Sequence, residues 1–121
     1  MDKKKKNAII LWGITVGYMV IIYYFSSLSG HLLPFSIRDF DKALHFCVYS
    51  VLAFLFYLSF RKSGLKRHIF LLSLLMTTMY GVIAEIHQLY VPGRVFSFGD
   101  VAADIIGGFS GSAFASLKVL K

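Results

Sequence analysis

Residues 43–86 read ALHFCVYSVLAFLFYLSFRKSGLKRHIFLLSLLMTTMYGVIAEI, two apolar runs of 18 residues, 43–60 and 69–86, joined by a short basic turn. At about 1.5 Å rise per residue, each run reaches about 27 Å as a helix, close to the hydrocarbon thickness of a bilayer. The turn RKSGLKRH is brief and carries Gly64, so the two helices form an antiparallel hairpin. Two further stretches have the same character, residues 8–25 and 101–120, giving four candidate transmembrane helices. The expected fold is all-α, a polytopic four-helix membrane bundle forming one domain over residues 1–121.

Composition agrees. Of 121 residues, 57% are hydrophobic and 16% charged, with a mean hydropathy of +0.69, whereas soluble domains carry about 45–50% apolar and about 25% charged residues. The net charge of +7 does not point to nucleic acid, because the basic residues lie in short clusters between apolar runs. They encode topology instead. Lys3, Lys4, Lys5, Lys6, Arg61, Lys62, Lys66, Arg67, Lys118 and Lys121 fall on one side of the four spans, and only Arg38, Lys42 and Arg94 on the other. The positive-inside rule makes the first side cytoplasmic and places both termini there, in a multi-pass protein of the cell membrane. The first apolar run exceeds the length of a signal-peptide core and reads as retained. The single cysteine, Cys47, excludes an intrachain disulfide.

Five of the six acids, Asp39, Asp41, Glu85, Asp100 and Asp104, map to the outer side, together with the aromatic residues Phe35, Phe40, Tyr90, Phe96 and Phe98, which suit an interfacial belt. Asp41, His45 and Tyr49 recur at i, i+4 and i+8 and share one helix face. Taken singly, each has an ordinary reading: Asp41 and Asp100 as N-caps, His45 as an imidazole donating to a backbone carbonyl, Arg94 as a snorkelling cation. Glu85 is less ordinary, because a carboxylate in a spanning segment costs on the order of 2–3 kcal/mol and the helix C-terminus disfavours it further. An ion pair with Arg94 or Lys42 is the structural alternative to a functional role. Gln88 shares its face and His87 does not. Polar groups from three helices and one loop therefore converge at one depth.

The fourth run carries Gly107 and Gly111, extended at the same spacing by Ala103 and Ala115, a smooth strip for close helix packing rather than phosphate binding. His45, Glu85, Asp100 and Asp104 are chemically competent metal ligands, but their spacing fixes neither a metal nor any other cofactor. The oligomeric state is likewise open.

The segments DKALHFCVYSVLAF and GVIAEIHQLYVPGRVFSFGDVAADIIGGFSG resemble the VanZ-like family of small bacterial membrane proteins, named for a member associated with low-level resistance to the glycopeptide teicoplanin. The family pattern is matched by Asp41, Lys42, His45, Phe46, Glu85, Gln88, Pro92, Gly93, Arg94 and Asp100. Asp104 stands where the family commonly has asparagine. The resemblance implies an envelope protein that affects glycopeptide susceptibility, with membrane lipids as neighbours and a lipid-linked or glycopeptide ligand. Two mechanisms fit the residues. In an enzyme, His45 oriented by Asp41 and a second group Glu85 perform acid–base work, while Lys42, Gln88, Arg94, Asp100, Asp104 and Tyr49 bind substrate. In a binding or assembly protein the same charges form a fixed recognition network.

Overall fold

The computed structural model describes residues 2–27, 41–91 and 98–119. They form four helices: α1 (Lys3–Ser27), α2 (Asp41–Lys62), α3 (Ile69–Gln88) and α4 (Phe98–Val119). Each overruns its apolar run at one or both ends, because apolarity marks the bilayer-crossing part while the backbone ladder continues into charged flanks. Asp2 caps α1, its carboxylate accepting from the Lys5 amide at 3.0 Å. Gly64, at φ 103°, ends α2: the Leu65 amide reaches the Phe60 carbonyl and the Gly64 amide that of Arg61, the paired bonds of a left-handed helix stop.

Contacts give the order of packing. α2 lies in the middle, most extensively against α4, and α1 packs on α2 and α3 without reaching α4. Trp12 of α1 meets Phe56 and Phe60 edge-on and donates to Ser63 Oγ at 2.7 Å. Thr15 and Ser59 share a hydrogen bond of 2.8 Å, Tyr18 donates to the Val48 carbonyl, and Tyr80 of α3 donates to the Met19 carbonyl. The residue pairs run in opposite directions along α1 and α2, but together along α2 and α4, where His45 meets Asp104 and Phe54 meets Phe114. The starts of α2 and α4 therefore share one end of the bundle with the finish of α3. At the other end, Lys3, Lys4, Arg61, Lys62 and Lys66 surround one cleft, so the basic clusters expected on a common side do lie together.

The radial distribution is that of a membrane protein. Thr15, Ser59, Ser73, Thr77, Glu85, Gln88, Asp100, Asp104 and Ser112 are buried, while Ile10, Ile14, Val20, Leu71, Leu75, Ile83, Ile106, Phe109 and Leu117 face outward. In water this arrangement would expose far more contiguous apolar surface than a monomer tolerates, and in lipid it costs nothing. Among the described residues, three helices are long and apolar enough to cross a membrane: Lys3–Phe25, Ala43–Lys62 and Ile69–Gln88. The fourth, expected to span as well, is diluted by Asp100, Asp104, its glycines and its serines. Those are the groups through which it docks on α2 and α3.

The strip on α4 is used within the chain. A Cβ on Gly107 would stand 2.5 Å from the Phe46 carbonyl oxygen, and one on Gly111 only 2.0 Å from that of Ser50. Both neighbours are helix backbone and cannot swing aside. Gly111→Ala is therefore expected to destabilise the detergent-solubilised protein by about 1–3 kcal/mol or more, seen as early loss of the monodisperse peak on heating. Gly13→Ala, with nothing within 4 Å of the new methyl, should leave the transition unchanged or raise it slightly.

Candidate polar site at the shared end of the helices

His45 stands one turn inside the start of α2, with 13% of its side chain exposed. Its Nδ1 lies 2.7 Å from Oδ1 of Asp104 on α4, and its Nε2 lies 3.9 Å from Oδ2 of Asp100, one turn earlier on that helix. Glu85 of α3 completes the group: one ligand atom each from His45, Glu85 and Asp100 falls within 4.8 Å of the others. The carboxylates are buried, Glu85 at 0%, Asp104 at 1% and Asp100 at 4% exposure. Tyr49 lies one turn below His45 with its ring nearly parallel to the imidazole, 7° apart at a centroid distance of 5.8 Å. Gln88 is buried one turn beyond Glu85. His87 faces α1, stacked on Tyr23, away from the site as its helical position requires.

The structure thus brings His45, Tyr49, Glu85, Asp100 and Asp104 together, with a contact at Asp104 that the sequence did not single out, and one reading changes at Asp100. The carboxylate that meets the inner nitrogen of His45 is Asp104, 59 residues away, which reaches it because α4 approaches α2 at Gly107. Asp100 is the third residue of α4, inside its first turn, and is not the residue preceding the helix. The side chains of Asp41 and Lys42, and the whole of Arg94, lie outside the described residues, as do Phe35, Phe40 and Phe96 of the expected aromatic belt. Its other members, Tyr90 and Phe98, are each 81% exposed.

Sequence reasoning missed Gly81. A Cβ there would meet Asp104 Oδ2 at 2.7 Å and its Cβ at 3.0 Å, so the absent side chain on α3 is the space that Asp104 occupies. The signal was available: Gly81 lies one turn before Glu85 on the same face.

Electrostatically the pocket is demanding. Two carboxylates about 5 Å apart repel by about 3 kcal/mol at an effective dielectric constant of 20, and Asp100 and Asp104 face one imidazole together with Glu85. The ring places Nδ1 on the side of Asp104 and Nε2 on the side of Asp100, and with Asp104 ionised Nδ1 is the donor. Buried oxygens on Tyr49 (the hydroxyl) and Asp104 (Oδ2) have no hydrogen-bond partner among the described residues. Gly81→Ala should drive Asp104 off the imidazole and move the 15N resonance of His45 Nδ1 in selectively labelled protein. Gly17→Ala, whose methyl would meet nothing within 4 Å, should leave that resonance in place.

Comparison with known proteins gives one assignment. The model of the VanZ/LLP1 family matches residues 8–119, which include all four helices apart from the first turn or so of α1. No curated protein and no solved structure matches significantly. On the extent of that match, together with the apolar exterior and the polar pocket it encloses, the chain belongs to the VanZ/LLP1 family.

Proposed function

We propose that this protein is a four-span envelope protein, with both termini in the cytoplasm and the pocket opening at the outer face. There it would act on a lipid-linked or headgroup substrate and so alter susceptibility to teicoplanin-type glycopeptides. The observation that carries this reading is the convergence of His45, Glu85, Asp100 and Asp104 on one buried point in a bundle whose exterior is apolar. Ionisable groups at such depth are costly and mark function by default. A substrate anchored in the outer leaflet would reach the pocket laterally, without leaving the membrane.

In this reading His45 takes or gives the proton at Nε2, because Nδ1 is held by Asp104. Glu85 is the second proton-carrying group, and the two divide acid and base work through their different surroundings. Lys42 and Arg94, the basic residues that the sequence assigns to this side, would hold a phosphate or carboxylate on the substrate. The closed His45–Asp104 contact also favours a second reading, a charge network that recognises an envelope lipid, the antibiotic or a partner protein without turnover.

The two readings separate on conservative variants produced at equal membrane levels in a glycopeptide-sensitive host. His45→Gln and Glu85→Asp should each abolish the change in teicoplanin susceptibility if the site is catalytic. Full retention by both would eliminate catalysis and leave recognition. Topology has its own check in a Cys47→Ala background, which removes the exposed native thiol. Ser97→Cys should react with a membrane-impermeant maleimide on intact cells, and reaction only after permeabilisation would invert the proposed orientation.

A further inference from the structure

The pocket has the composition and spacing of a metal centre. His45 Nε2 lies 3.9 Å from Asp100 Oδ2, and a Glu85 oxygen lies with ligand atoms of both residues inside a 4.8 Å sphere of mutual separation. For metal–ligand bonds of about 2.1 Å in tetrahedral geometry, ligand atoms stand about 3.4 Å apart. The His45–Asp100 pair is within about half an ångström of that, a gap that small side-chain rotations close.

The second nitrogen is arranged as such a centre requires. A histidine that ligates through Nε2 donates its Nδ1–H to a carboxylate or carbonyl, which fixes the tautomer and turns the lone pair to the ion. Asp104 occupies that position at 2.7 Å. A further observation comes from outside the three ligands: Asp104 Oδ2 and the Tyr49 hydroxyl are buried without a hydrogen-bond partner among the described residues. The Tyr49 ring stacks on the His45 imidazole, whose Nδ1 meets Asp104. Both orphaned oxygens therefore belong to side chains that contact the same imidazole.

We propose that His45 Nε2, Glu85 and Asp100 bind one divalent first-row transition-metal ion, with Asp104 as the positioning residue behind the imidazole. One nitrogen and two carboxylate donors select a borderline ion such as zinc or manganese over soft copper(I). Magnesium is disfavoured, since it prefers oxygen donors and keeps much of its water. Three protein ligands leave at least one coordination position for water or an anionic substrate oxygen. The inference uses the pocket described above and does not depend on its being catalytic.

Purified full-length protein in nanodiscs, stripped with chelator and re-exposed to zinc or manganese, tests this by elemental mass spectrometry after removal of free ion. Wild type should retain about one ion per chain. Glu85→Gln and His45→Ala should bind at least tenfold more weakly, and Asp104→Leu about ten- to a hundredfold more weakly. Folding is checked by helicity and a monodisperse elution profile, and the near-isosteric Asp100→Asn serves if another variant fails that check. Cobalt(II) loading adds a signature that a merely structural role would not produce, a visible ligand-field band lost in Glu85→Gln. Absence of retained metal in wild type, as expected if a side-chain cation fills the pocket, overturns the proposal, and so does equal retention in folded variants. Metal uptake by the wild type combined with an intact susceptibility phenotype in both His45→Gln and Glu85→Asp upholds the centre and removes only the catalytic reading.

Discussion

The approach of α4 to the backbone of α2, where Gly107 and Gly111 leave no room for a Cβ against the carbonyls of Phe46 and Ser50, governs where everything polar can go. In lipid there is no hydrophobic force to press helices together, so association depends on close van der Waals contact and on hydrogen bonds across the seam. With the axes this near, a short aspartate one turn above Gly107 spans from α4 to the imidazole on α2. Had α4 carried alanine at these positions, Asp104 would fall short of His45. The same economy operates on the third side, where Gly81 leaves the volume that the Asp104 carboxylate fills.

This geometry explains why α4 is not among the three helices apolar enough to cross a membrane and still belongs to the bundle. Its small and acidic residues face α2 and α3, and what remains for the exterior is Ile105, Ile106, Phe109, Phe114 and Leu117, all exposed. Averaging hydropathy along such a helix mixes two faces that meet different surroundings. α1 is the converse case. It touches α2 and α3 through polar and aromatic contacts, Thr15 with Ser59 and Trp12 with Phe56 and Phe60, and through buried Ile22, and presents most of its other aliphatic side chains outward. The polar site is thus built by α2, α3 and α4, and α1 braces it from behind.

Much of this architecture was legible before any coordinates. Run lengths gave the helices, the grouping of lysines and arginines matched the cleft that five of them line, and Gly64 marked the end of α2. Helical spacing correctly put His45 with Tyr49 and turned His87 away. What spacing could not supply was the identity of neighbours. A helical wheel fixes the face on which His45 lies without saying which helix covers it, so its contact with Asp104, 59 residues away, was not legible. Gly81 went unread for a related reason: a glycine's contribution is the space beside it, and that space has meaning only once α4 is placed.

The directions of the helices add a last constraint on the pocket. α2 and α4 begin at this end, so their amide-rich N-termini turn partial positive charge toward Asp100 and Asp104, in the first two turns of α4. α3 finishes here, and its C-terminal carbonyls oppose the charge of Glu85, which lies in its last turn with no solvent exposure. The field of the fold therefore assists two of the three carboxylates and works against the third. Glu85 is the acid whose burial the backbone does least to offset, so a cation held in this pocket, whether an ion or part of a substrate, gains most by sitting against it.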